Sequence, residues 1–255
     1  MIKPDVHIEL WNAFNDISFN EPDHKYTDSK GTLYQSATGW IKQFEPDTDW
    51  DGIKNRKAEK EGISVEELSK QWKRKSDYAT HLGTQVHAVM EYIWQKKNYN
   101  FDKRLNTEFP EMEEDFNYRK GVCKQIYEKM KNIYVPIANE FIVYDQENAI
   151  CGTIDALMYN TKKDCYSIID WKTSKKFDTG NQWSEYMKEP FSHVINCNTS
   201  EYSLQLSLYK YILEKHTSIR IGEMVLFQIP NKDNPMPQVF RCLDFSKYIA
   251  DYLKK

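Results

Sequence analysis

Two short β-prone runs, AICGTIDALMYN (149–160) and CYSIIDWKT (165–173), constrain this chain more than any other feature. Only the four-residue turn Thr161–Asp164 separates them, so they read as an antiparallel hairpin. The register that pairs Asn160 with Cys165 sets Asp155 opposite Asp170. Directly opposed residues share a face with Cβ atoms about 5 Å apart, where like charges destabilise. A divalent cation there converts repulsion into chelation. Lys172 stands two residues beyond Asp170, so strand alternation puts it on the same face, while Ile169 and Trp171 point into the core. A lysine beside a metal can orient a water nucleophile, or stabilise the charge that grows on a phosphorane-like transition state. The same spacing also describes a surface hairpin with an Asp–Lys ion pair, and a slip of one residue would undo the register.

Around the hairpin the chain changes character. Residues 17–36 read as a hairpin-like opening and 38–44 as a short helix. Ser64-Val65-Glu66-Glu67 has capping-box form, with a helical pattern to Ser76. A long helix is expected over 78–97, an acidic loop from 101, and another helix over 112–133. A strand at 139–145 precedes the hairpin, and the polar stretch 174–200 reads as a loop or lid. A helix over 202–216, strands at 224–230 and 238–245, and a closing helix complete the order. The expectation is a mixed α/β core (77–255) behind an N-terminal hairpin and helical, substrate-guiding part (1–76).

Composition limits what such a fold can serve. No apolar run among the 255 residues approaches the roughly 18 needed to cross a bilayer, so no membrane role is expected. The first residues lack the basic start and apolar stretch of a secretory signal, and five dispersed cysteines without a CxxC pair fit a reducing compartment. A cytoplasmic protein of a bacterium or phage-infected cell is expected, in keeping with a Lys-, Asn- and Tyr-rich, AT-biased composition. The scattered thiols do not support a structural zinc or an iron–sulfur cluster. Net charge is −3, but residues 1–51 carry ten acids against four bases, whereas 51–75 hold eight bases against five acids. Phosphate binding responds to the local field, so a mildly acidic total leaves DNA open as a partner; a solvated lysine-rich helix face is the other reading.

Two further groups stand at helical spacing. Gly83, His87 and Glu91 share one face of the long helix, where glycine permits close approach, His87 offers an imidazole and Glu91 could orient it. Gln205 and Tyr209 are paired in the same way after the strands. Taken singly, each also reads as an ordinary core helix carrying polar residues.

Together the groups resemble the PD-(D/E)XK nuclease superfamily, in its RecB-like exonuclease branch. The resemblance lies in Gly83-Thr-Gln-Val-His87, Gly152-Thr-Ile-Asp155, Asp170-Trp-Lys172 and Gln205-Leu-Ser-Leu-Tyr209, in that order over roughly 17–215. The opening ISFNEPDHKY…LYQSATGWI is similar to phage and mitochondrial genome-maintenance exonucleases. The resemblance implies a restriction-endonuclease-like core, a mixed central sheet flanked by helices, with an N-terminal helical extension. It implies Mg²⁺ or Mn²⁺ held by His87, Asp155, Asp170 and the backbone carbonyl of Trp171, with Asp155, Asp170 and Lys172 catalytic. Glu91 and Glu140 would stand behind the ligands. Gln205 and Tyr209 would contact DNA or buttress the site, and Ser36 and Thr38 would place hydroxyls near substrate phosphates. The implied activity is a metal-dependent DNA exonuclease of recombination, repair or phage DNA metabolism, acting on single strands or duplex ends, with a recombination or single-strand-binding protein as partner. A structure-specific endonuclease and an inactive nucleic-acid-binding protein remain the alternatives, and the oligomeric state leaves no mark in the sequence.

Overall fold

The computed structural model describes residues 2–20, 23, 25–95 and 108–254. Strand β5 (Ile150–Asn160) organises the molecule. On one side it pairs along its length with antiparallel β4 (Tyr134–Asp145), a strand that begins five residues earlier than the sequence suggested. Its other edge is shared by two strands. Antiparallel β6 (Cys165–Lys172) takes Ala156–Asn160, in the register expected from the turn. Parallel β3 (Leu33–Ser36) takes Ile150 and Cys151. Between those contacts the edge of β5 has no strand partner, and the sheet forks there.

Among the described residues the sheet has eight strands. Beyond β3 it continues through β2 (Lys25–Asp28) to β1 (Ile17–Asn20). Beyond β6 it continues through parallel β7 (Ile221–Gln228) to β8 (Val239–Arg241). The opening hairpin is thus a three-strand meander whose last strand joins the central sheet. A parallel β6–β7 pair requires a crossover, and α6 (Asn198–His216) provides it, laid across the sheet.

Two apolar layers cover the faces. Alternation on β6 sends Ile169 and Trp171 into one, against helices α4 (Val65–Gln95) and α5 (Met112–Met130). Tyr166 and Ile168 enter the other, with α6, α1 (Val6–Ala13), α2 (Ala37–Lys42) and α7 (Ser246–Leu253). No helix is long and apolar enough to cross a membrane, among the described residues.

Three expectations change. The helical patterns ending at Ser76 and starting at residue 78 are one helix, α4, which runs unbroken across the 76/77 boundary; the far end of the pattern, 96–97, lies outside the described residues, as does most of the acidic stretch, through 107. Helix α3 (Trp50–Glu61) was not anticipated, because Ala58 is its one buried side chain and it shows no apolar period. Its end signals are nonetheless present: the Asp49 carboxylate accepts from Gly52 N–H, and Gly62 terminates it at φ +66°. The 174–200 stretch is anchored rather than lid-like. Met187, Phe191 and Val194 are buried in the core, Phe191 lies edge-on to Phe44, and α6 begins at 198 rather than 202.

The end of the sheet away from the fork is tied by one carboxylate. Glu223 on β7 accepts from Tyr134, Asn160, Ser167 and Lys163, joining β4, β5, β6 and their connecting turn. Burial alone would raise its pKa, but these donors outweigh burial and hold it at about 2, below the ordinary 4.5. A depressed carboxylate stabilises the fold above its unfolded pKa, and that contribution is lost as pH falls from about 4.5 towards 2. Replacing Glu223 by Gln is expected to cost on the order of 2 kcal/mol at pH 7, discounting for the half-exposed Lys163. In urea titrations the gap between the two proteins should narrow on going from pH 7 to pH 3; a gap independent of pH would refute this account.

Candidate active site

Asp155 sits where the strands part, one step beyond the last β5–β6 ladder pair, Ala156 with Ile169. Its Oδ2 accepts from the backbone N–H of Trp171 at 2.8 Å, a bond that replaces the missing ladder contact. On its other side Asn139 and Phe141 pair with Ala156 and Ile154, which sets Glu140 across from Asp155. Glu140 has φ +46°, a strained conformation for a non-glycine residue in a strand. Three adjacent strands therefore present acidic residues in one row: Glu140, Asp155 and Asp170.

The fork also opens the row to α4. His87 Nδ1 lies 3.4 Å from Asp155 Oδ2 and 3.7 Å from Glu140 Oε1. Ligand atoms of these three side chains lie within 4.8 Å of one another, close enough to hold one metal ion. Glu140 thus stands in the compact group itself, where the sequence had placed it behind the ligands. Asp170 is instead paired with Lys172, Nζ to Oδ2 at 2.8 Å. The Trp171 side chain is buried against Phe227, so what it turns towards the fork is backbone. Glu91 follows one turn after His87 and is outside the compact group.

Electrostatics show a site with excess negative charge. Burial pushes the Asp170 carboxyl up to about 6, with the charge of Asp155 adding and Lys172 opposing. Burial also raises Asp155, against the pull of His87 and Lys172. For His87 burial works in the opposite direction, but Asp155 and Glu140 outweigh it and bring the imidazole up to about 9. Lys172 is likewise held well above its ordinary value despite burial, by Asp170 and Asp155. The row therefore holds protons or a metal cation at neutral pH, and the imidazole must shed its proton to act as a ligand.

Helix α6 forms the opposite wall. Tyr209 is buried over β5, so close that a Cβ on Gly152 would meet its ring at 2.4 Å. Gln205 Nε2 donates to the Tyr209 hydroxyl at 3.0 Å. These two brace one another beside the carboxylates, whose charges help burial to raise Tyr209. Tyr202, on the same helical face, carries the Lys172 ammonium 4.5 Å over its ring. The sequence reading missed Tyr202, although its spacing from Gln205 and Tyr209 could have found it. It also missed Tyr26, whose hydroxyl meets Thr153 Oγ1 at 3.2 Å from a distant strand, with no local signal.

The other expected residues sit at the margins. Ser36 pairs by its backbone with Cys151 at the fork, and its hydroxyl caps α2 by accepting from Gly39 N–H. Thr38 is exposed on the first turn of α2. Gly83 is less constrained than expected, since a Cβ there would make ordinary contact with Thr173 Oγ1 at 3.7 Å. A cleft of about 850 Å³ opens beside Thr173, between α4, α5 and the loops after β6 and β7, and its bases are matched by acids: Arg74 pairs with Glu111, Arg119 with Asp115 and Lys232 with Glu114. Arg119 is buried and donates to the carbonyls of Thr173 and Ile229, which clamps the strand ends just past Lys172.

A family model of the PD-(D/E)XK nuclease superfamily matches residues 64–252, from the N-cap of α4 into α7. The chain belongs to the PD-(D/E)XK nuclease superfamily. The mixed sheet flanked by helices is the fold of that superfamily, and metal-dependent nuclease chemistry is its activity. No curated protein matches the sequence. For this nuclease the acidic row, His87 and Lys172 are the residues whose placement suits that chemistry.

Proposed function

We propose that this nuclease is a RecB-like, Mg²⁺- or Mn²⁺-dependent deoxyribonuclease that degrades DNA from an end, in recombination, repair or phage DNA metabolism. The observation that carries the reading is the row Glu140–Asp155–Asp170 across three strands, with Lys172 2.8 Å from Asp170 and His87 3.4 Å from Asp155. His87, Asp155 and Glu140 would hold the cation, with Asp170 and the Trp171 carbonyl completing the set. When bound, the cation supplies positive charge to the phosphate and acidifies a water. Lys172, fixed between Asp170 and Tyr202, donates hydrogen bonds that orient the attacking water and offset charge developing on the phosphate oxygens. Asp155 keeps its carboxylate aimed by accepting from Trp171 N–H. The lysines and arginines at residues 54–75, with Trp72 among them, would help to guide the strand, although Lys57, Lys70, Lys73 and Arg74 are paired with carboxylates.

Linear DNA labelled separately at each end, single- and double-stranded, beside a closed circle, tests the reading in Mg²⁺, Mn²⁺ or EDTA. Loss of linear strands with either ion, spared circles and no reaction in EDTA are expected. His87→Ala should weaken Mn²⁺ binding by calorimetry at least about 100-fold, more than the loss of a group that only supports a ligand. Cut circles would replace the exonuclease with an endonuclease. DNA bound but uncleaved under every condition would favour the inactive binding protein.

A further inference from the structure

The Lys172 ammonium has more donors than its surroundings take up. It carries three N–H groups, and among the described residues Asp170 Oδ2, at 2.8 Å, is the one acceptor within reach. Gln228 stands next to Lys172 in the β6–β7 register, but its amide is turned away and donates to the Ser174 carbonyl at 2.8 Å. What lies over the ammonium instead is the Tyr202 ring, with Nζ 4.5 Å from its centroid.

The turn of α6 that carries Tyr202 is pinned on both sides. Before it, Asn198 Oδ1 accepts from Asp178 N–H at 2.8 Å and Thr199 Oγ1 donates to Asp178 O at 2.6 Å. After it, Ser203 Oγ donates to Thr199 O at 2.6 Å and accepts from Leu243 N–H at 3.3 Å. One turn further, Ser207 Oγ accepts from Phe245 N–H at 2.9 Å. Tyr202 itself is half-buried and packs against the apolar layer beneath α6. A fixed helix therefore presents a fixed ring, on the face that also carries Gln205 and Tyr209.

We infer that Tyr202 is a positioning residue for the proposed cleavage: the face of its ring holds the Lys172 ammonium and leaves its remaining N–H groups to turn towards the reacting phosphate. This rests on the nuclease reading above and adds to it a group outside the carboxylate row. A ring suits the place better than a further acid. Its quadrupole attracts the cation without net charge, whereas a fourth carboxylate would occupy another N–H and repel the phosphate. Neither the bulk of the side chain nor its hydroxyl enters this role; the negative face of the ring does.

Three substitutions at position 202 separate the ring from its bulk. Tyr202→Leu should lower kcat about 10- to 30-fold with KM within about twofold, and Tyr202→Phe should recover most of the loss. Pentafluorophenylalanine installed there keeps the shape of a ring but reverses its quadrupole, so it should be as slow as Leu. In a Lys172→Met background the same changes should make no further difference. Independently of turnover, the Lys172 Cε protons, assigned by their loss in Lys172→Met, should lie upfield of those of other lysines through the Tyr202 ring current. Tyr202→Leu should return them to the common position. A Leu variant with wild-type kcat, a Phe variant as slow as Leu, a pentafluoro variant as fast as wild type, or a loss undiminished beside Lys172→Met would each overturn the proposal. If no nucleic acid is cleaved yet the Lys172 resonance moves with Tyr202, the ring–ammonium clamp stands and the nuclease reading falls. Cleavage with an unmoved resonance leaves the nuclease in place and removes the clamp.

Discussion

Lys172→Met should lose roughly 10³-fold in single-turnover cleavage while still binding an oligonucleotide with nearly wild-type affinity by fluorescence anisotropy. The asymmetry follows from position. Lys172 Nζ is enclosed by Asp170 and the Tyr202 ring, so in the proposed mechanism it would act on the reacting phosphate rather than on the length of the strand. Stability should change little. Asp170 is already pushed up to about 6 by burial, so without its partner it takes a proton instead of remaining a buried charge. Lys172→Arg should be nearly as inactive, because the planar guanidinium does not fit a place shaped for a compact ammonium. A Lys172→Met protein retaining a tenth of the wild-type rate would remove Lys172 from the chemistry.

Gly152→Ala is expected to be the most destabilising small substitution at the site, at about 3 kcal/mol. Backbone strain is not the cause. The added methyl would sit 2.4, 2.8 and 2.9 Å from Tyr209 Cε1, Oη and Cζ, and that ring is buried at 3% exposure. Either the strand or α6 must shift, carrying Asp155 or Gln205 with it, so activity should fall too. A double-mutant cycle isolates the clash: in a Tyr209→Ala background the methyl should cost less than about 0.5 kcal/mol. A cost undiminished in that background would mean that something other than the ring fills the space.

What the sequence disclosed depended on the range of the interactions involved. The β5–β6 register was readable because a four-residue turn leaves few pairings, and the observed ladder from Asn160–Cys165 to Ala156–Ile169 is the expected one. The pairing of β3 with β5 was not, since two residue pairs separated by more than a hundred positions leave no periodic trace. Glu140 was underweighted for a related reason. Its place opposite Asp155 depends on the β4–β5 register, which a bulge between Pro136 and Ala138 shifts, and on a φ that no local propensity favours. Helix α3 shows the reverse failure. Its caps, Asp49 and Gly62, went unread, because a helix with one buried side chain lacks the apolar stripe that sequence patterns detect.

The shared edge of β5 also orders events in time. Its two strand partners come from residues 33–36 and 165–172, and Tyr209 closes the floor later still. A ribosome adding about 5–20 residues per second delivers His87 several seconds before Asp155, Lys172 and Tyr209. The proposed centre therefore cannot assemble until Tyr209 has left the ribosome, and a nascent product that stops short of it would carry His87 and the carboxylates without the ring that braces them.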